Sequence, residues 1–199
     1  MPYFILFIAL LSGCCPSIVK IDDVDTGTKS NQDSVLEFDN CSQHVGDHPC
    51  NFSLINQHGV TVNLYDFYEK IIVVDLSVMW CAPCQQMAQA ADRIVLEYGN
   101  ENVEWLTLLI EDNSGNPPDQ EDTMLWATQN NITGHVLASD RSIIDNTPEL
   151  TTGYPITGWP TFVVIDDEMV LRYGVTGWSE EMLKQMLDIL VLEKQNRDG

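Results

Sequence analysis

An α/β domain with a mixed central β-sheet flanked by helices is the fold class that this 199-residue sequence predicts, on three observations. Apolar runs alternate with helical patterns in the order hairpin, strand, helix, strand, helix, hairpin, helix, as in a sheet whose parallel core is covered on both faces. Two of the runs, Ile71 to Ser77 and Val103 to Ile110, are nearly unbroken apolar segments, the pattern of strands buried on both faces. Short alternating runs near each end of the pattern are hairpins, which add antiparallel strands.

The elements follow in order. Phe52-Ser53-Leu54 and Val60-Thr61-Val62-Asn63-Leu64 flank Asn56-Gln57-His58-Gly59, an N-terminal β-hairpin turning at His58-Gly59. Tyr65 to Glu69 makes a brief turn, and Ile71 to Ser77 is the central strand, with Asp75 its one charged residue. Met87, Ala91, Ile94, Val95 and Tyr98 recur at helical spacing, and Gly99 ends that helix. Glu111 to Asp122, rich in Asp, Asn, Gly and Pro, is a loop into a helix at about 119–130, with Met124, Leu125 and Thr128 on one side. His135 to Ala138 is a short strand, and Ser139 to Gly158 an irregular crossing segment. Thr161–Ile165 and Met169–Tyr173, joined by Asp166-Asp167-Glu168, form the second hairpin. Ser179 caps a terminal helix that has Glu180 and Glu181 in its first turn and Met182, Leu183, Met186, Leu187 and Leu190 on one face.

Nine Lys and Arg against thirty Asp and Glu give a net charge of -21. No basic footprint exists for nucleic acid or an anionic membrane surface, so neither is an expected partner.

Residues 1–13 read as a signal peptide of the lipoprotein type. Phe4 to Leu11 is an apolar run of eight residues, too short to span a bilayer, and Leu11-Ser12-Gly13-Cys14 follows. That tetrapeptide resembles the lipobox of bacterial lipoproteins, which implies cleavage before Cys14, a lipid on Cys14 and anchorage to a membrane. No Lys or Arg precedes the apolar run, and ordinary secretion or an uncleaved N-terminal anchor are the alternatives. Each places the chain outside the cytoplasm, where disulfides persist. Residues 14–49 are expected to be an acidic flexible tether, 50–194 the folded domain and 195–199 a tail.

Trp80-Cys81-Ala82-Pro83-Cys84 lies where the central strand gives way to a helix. Unpaired amides and the positive end of the helix dipole favour Cys81 there as a thiolate, and Cys84, one turn in, can close a disulfide onto it. Asp75, in an apolar strand, has its carboxyl pKa raised by desolvation.

Together with Asn51-Phe52-Ser53-Leu54, Gly59, Leu64 and Gly158-Trp159-Pro160-Thr161-Phe162, this motif makes residues 50–194 resemble the thioredoxin-like proteins, and among them the extracytoplasmic thiol-disulfide oxidoreductases of the TlpA and ResA kind. The resemblance implies a thioredoxin-like fold with Cys81 as nucleophile, Cys84 as resolving thiol and Pro160 beside the dithiol, after a cis bond. It implies that Asp75 takes the proton from Cys84, and that an extended substrate segment docks by strand addition across Trp159, against Trp80, Pro83 and Pro160. Protein thiols and disulfides, with an upstream redox partner, are the expected partners of a monomer that needs no cofactor beyond its own disulfide. Two departures stand out. Met87 occupies the position, three residues after the second cysteine, where ResA-like proteins carry Glu, and Trp159 is larger than the usual residue before the proline.

Cys41, His44, Asp47, His48 and Cys50 form a second cluster, read as a Cys41–Cys50 disulfide or as a zinc or copper site. Cys15 is left over. Competing functions are copper binding or delivery through Cys81, Cys84 and His135, whose usual motif is Cys-x-x-x-Cys, and a catalytically silent surface module. The Pro-x-x-x-Thr-x-x-Cys arrangement that activates a peroxidatic cysteine is absent before Cys81.

Overall fold

A computed structural model describes residues 37–38, 40–99 and 102–199; the expected signal peptide, Cys14, Cys15 and most of the expected tether lie outside the described residues. Seven strands form one sheet: β1 (Ser53–Asn56), β2 (Thr61–Asn63), β3 (Ile71–Val78), β4 (Val103–Glu111), β5 (His135–Ala138), β6 (Thr161–Ile165) and β7 (Leu171–Thr176). Their spatial order is β2-β1-β5-β4-β3-β6-β7. β3, β4 and β5 pair in parallel, while β6 runs antiparallel to both β3 and β7, and β1 runs antiparallel to both β2 and β5. The expected mixed sheet and its N-terminal hairpin are therefore present.

Helices α1 (Ala82–Ala88), α2 (Ala91–Tyr98), α3 (Gln120–Asn130) and α4 (Glu180–Asp198) cover the sheet. One face packs Met87, Ala91 and Ile94 with Leu183, Leu187 and Leu190 of α4 against Ile71, Val73, Phe162 and Val164. On the other, Trp126 and Ala127 of α3 join Tyr154 and Ile156 of the crossing segment over Val74, Leu106, Leu108 and Val163. β3 is buried at all eight positions, as a strand with neighbours on both edges and layers on both faces must be. Among the described residues no helix is long and apolar enough to cross a membrane.

Three element boundaries differ from expectation. The helix after the dithiol is two helices, parted at Gln89-Ala90, where the Ala90 N–H bonds the Met87 carbonyl and tightens the turn. Met87, Ala90, Ala91 and Ile94 still bury one face, so their periodicity gave no sign of the break. β7 starts at Leu171, because Met169 sits at φ 59 in the turn that leaves β6. α4 continues through the expected tail to Asp198.

Ordered contacts also begin well before Cys50. Cys41 and Cys50 form a disulfide, and the loop between them is held by main-chain bonds: Gln43 N–H to Leu150 O (2.8 Å), Gly46 N–H to Leu171 O (2.7 Å) and Leu171 N–H to Asp47 O (2.9 Å). His48 Nδ1 donates to Met169 O at 2.7 Å, and His44 Nε2 to Pro148 O at 2.8 Å. Phe38 stacks on His48 and meets Tyr65 edge-on. Phe38 and residues 40–50 are thus a strap on the domain and not part of a free tether. Its polar sequence hid this, because backbone bonds to remote carbonyls leave no periodicity.

The crossing segment is tied by a bridge between Ile144 and Tyr154, where the backbone of Gly153 runs so close to Ile143 that a Cβ there would collide with the Ile143 carbonyl. Gly153→Ala must push the two strands of this bridge apart and should cost on the order of 2–3 kcal/mol, read as a lower urea midpoint with unchanged m. Replacing Cys41 and Cys50 by Ser opens a short loop and should cost about 2–3 kcal/mol on the loop-entropy argument, with protection of the amides of Gln43 and Gly46 lost in hydrogen exchange.

Candidate active site

Cys81 and Cys84 are joined as a disulfide at the start of α1. Cys81 is the N-cap, in an extended conformation, and its Sγ accepts the Cys84 N–H at 3.2 Å; Pro83 stands in the first turn, where its missing N–H leaves no helical bond unmade. Cys84 is completely buried and Cys81 is 6% exposed, so of the two sulfurs Cys81 is the one an incoming group can reach. An amide aimed at Sγ and the first turn of α1 around it favour the thiolate of Cys81.

β3 carries the chain to this point. Asp75 pairs with Thr107 on β4 and with Phe162 on β6. Side-chain alternation puts it on the face of Val73, the face against which Met87 of α1 packs. Its carboxylate accepts from Ser77 Oγ at 2.5 Å and from Thr107 Oγ1 at 3.1 Å. Complete burial pushes the Asp75 pKa up to about 7, a rise that the Ser77 and Thr107 hydroxyls hold in check by stabilising the charged form. A carboxyl titrating there can accept and return a proton near neutrality.

Pro160 follows a cis peptide bond from Trp159 and is buried, while Trp159 is half-buried against the core cluster that includes Cys81 and Cys84. Thr161 pairs with Leu76, so the register carried one and two residues on brings Pro160 and Trp159 alongside the end of β3. Trp80 is half exposed beside Cys81. The structure therefore gathers Cys81, Cys84, Asp75, Trp80, Pro83, Trp159 and Pro160 around the end of one strand.

His135 does not join them. It lies on β5 opposite Leu106, itself opposite Val74, two strands across the sheet and several residues back from the dithiol. Asn56 and Phe67 are its neighbours. Among the described residues no group of three or more His, Cys, Asp or Glu is placed to hold a metal ion. In the second cluster the cysteines are bonded to each other, and both histidines are turned to backbone carbonyls.

Glu111 is the residue that the sequence did not single out. Expected at the start of a loop, it is the last residue of β4, 4% exposed, and its Oε2 accepts the Trp80 indole N–H at 2.9 Å. Arg141 forms an ion pair with its Oε1. The apolar run ahead of Glu111 could have extended the strand by one residue, but nothing local marks partners 30 residues away.

In comparisons with known proteins, a family model described as AhpC/TSA family matches residues 45–174. A thiol:disulfide interchange protein described as DsbE, from Chlorobium tepidum, superposes with a TM-score of 0.58 at 22% identity, over 76% of this chain and 97% of that one. The thioredoxin domain of a thiol-disulfide oxidoreductase from Bacteroides vulgatus gives 0.59 at 14%, over 74% and 98%. The exposed lipoprotein thioredoxin of Streptococcus pneumoniae gives 0.55 at 25%, over 71% and 100%. These likenesses establish the thioredoxin-like fold.

Because the folded state holds the Asp75 proton to about pH 7 and the unfolded chain releases it near 4, the native protein binds more protons between those values. Stability therefore falls as pH rises through that window. Asp75→Asn should leave stability unchanged at pH 4 and raise it by up to roughly 4 kcal/mol at pH 8. Urea unfolding of the oxidised protein at the two pH values checks this, and an equal difference at both would refute it.

Proposed function

We propose, from the premise that the chain belongs to the AhpC/TSA family and is an oxidoreductase of the thioredoxin-like kind, that it exchanges disulfides with protein substrates outside the cytoplasm through Cys81 and Cys84. The observation that carries this reading is the asymmetry of the pair: one sulfur at the surface on a helix cap, the other sealed beneath it.

In the reducing direction the Cys81 thiolate attacks one sulfur of a substrate disulfide, the S–S bond breaks, and the other substrate sulfur leaves as a thiolate. Cys84, its proton passed to Asp75, attacks Cys81 Sγ and expels the second substrate thiolate. The substrate gains two electrons and takes up two protons, one returned by Asp75 and one from the medium, and the enzyme is left as the Cys81–Cys84 disulfide. A dithiol partner must then reduce it, and the reverse sequence oxidises a substrate. Trp80, Pro83, Trp159 and Pro160 form the surface on which an extended substrate segment lies. No cofactor takes part beyond the disulfide, and a monomer supplies every group named.

Three observations support the compartment. Leu11-Ser12-Gly13-Cys14 resembles a lipidation signal, with Cys14 as the anchor. The Cys41–Cys50 disulfide suits an oxidising medium. The pneumococcal protein of the same fold is an exposed lipoprotein.

Cys84→Ser should accumulate mixed disulfides with partner proteins through Cys81, visible as adducts that collapse on adding a reductant. Cys81→Ser should abolish both the adducts and insulin reduction. A Cys84→Ser variant that traps nothing in its own compartment, together with a wild type unable to reduce a model disulfide, would sink the reading.

A further inference from the structure

Four carboxylates among the described residues are buried: Asp75, Glu111, Asp145 and Asp166. Asp75 serves the proton transfer already described. Asp145 organises its own loop, accepting from Thr147 and Thr152, and Asp166 caps the turn between β6 and β7 and pairs with Arg172. Glu111 has no such local duty. Both its side-chain partners are remote in sequence, and each belongs to a different wall of the exchange site.

The first wall is the approach to Cys81. Glu111 holds it twice, because its main-chain carbonyl accepts the Met79 N–H at 3.0 Å and its carboxylate accepts the Trp80 indole N–H at 2.9 Å. The two residues before the nucleophile are thus held by one residue. The second wall is the segment that leads to Trp159 and Pro160. Arg141 opens the single 3-10 turn of that segment, behind the Asp140 cap, and reaches back to Glu111. Glu111 is sealed while two-thirds of the Arg141 side chain faces solvent, so the pair has a buried end and an exposed end.

Resting on the thiol-disulfide reading above, we infer that Glu111 and Arg141 are a positioning pair for the exchange reaction. Glu111 fixes the half-exposed Trp80 ring beside Cys81. Arg141 locks the same carboxylate to the substrate-side segment and cancels its charge, so that the Cys81 thiolate is not opposed by a buried anion. Other charges on the elements that meet at Cys81 are few. α1 carries none; β3 brings Asp75; Asp112, after Glu111, is turned into its own loop; and Asp140 and Asp145 are occupied within the crossing segment.

The inference predicts effects of opposite sign. Arg141→Gln leaves a bare carboxylate near the thiolate, whereas Glu111→Gln keeps an acceptor for the indole and leaves Arg141 positive. In the full chain with Cys84→Ser, reduced, the midpoint of Cys81 alkylation by iodoacetamide should rise with Arg141→Gln and fall with Glu111→Gln, each by on the order of half a pH unit. Glu111→Ala should lower the fluorescence anisotropy of Trp80, identified by difference from Trp80→Phe, and Glu111→Gln should restore it. Midpoints that coincide, or that move in the same direction, overturn the inference, and the two Gln variants decide it even where Glu111→Ala does not fold. Failure of the wild type to reduce a disulfide would defeat the functional reading without altering these midpoints, so the two fail separately.

Discussion

Burial of β3 on both faces and along both edges leaves the chemistry nowhere to go but its end. The strand pairs with β4 along its length and with β6 from Ile72 to Leu76, and its apolar side chains are spent on the two layers of core. Where the strand stops at Val78 the chain must turn out of the sheet, and after Met79, Trp80 and Cys81 it starts a helix whose first amides have no partner within the helix. Cys81 stands at that junction and fills one of the vacancies with its own sulfur. The rigidity of the strand thus fixes the position of Cys81. The same end of β3 lies against the end of β4, which supplies Glu111, and the start of β6, which supplies Trp159 and Pro160. Three neighbouring strands place groups that are distant in sequence around one sulfur pair.

The two buried carboxylates beside this junction sit in different surroundings. Asp75 is bonded by the Ser77 and Thr107 hydroxyls, which help its anion too little to offset desolvation, so it retains a proton near neutrality. Glu111 meets a guanidinium and an indole N–H, which compensate burial of its charge directly. One group is suited to receive a proton and the other to stay fixed, and the division of labour comes from partners and not from the carboxyl group itself.

How much of this was legible in the sequence depends on the range of the interaction. β3 and β4 announced themselves by unbroken apolar runs, and the Cys81–Cys84 pair, Asp75 and Trp159-Pro160 by motif and order. These signals are local, or are repeated along the chain, and the structure places them together. The break at Gln89-Ala90 was not legible, because the buried face continues through it. Nor was the strap of Phe38 and residues 40–50, whose bonds run to the backbone of Leu150, Met169 and Leu171. Glu111 was missed for a related reason: in sequence it opens a run of polar residues, and only the parallel register of β3 and β4 turns it towards Trp80.

Arg141 gains meaning from how few cations the domain has. Of the seven Lys and Arg side chains among the described residues, Arg93 and Lys184 tie α2 to α4, and Arg172 and Arg197 tie α4 to the β6–β7 hairpin. Lys194 bonds the Glu69 carbonyl from α4, and Lys70 joins β3 to β4 through Glu104. These contacts fasten the terminal helix and the far end of the sheet. Exposed pairs of that kind contribute little each and are weakened by salt. Arg141 alone among them meets a carboxylate that also holds a residue of the exchange site. With a net charge of -21 the surrounding field is anionic, and an anionic field disfavours a thiolate. On the inference drawn above, a single cation spent on the buried Glu111 removes part of that opposition at the end of β3, where Cys81 stands.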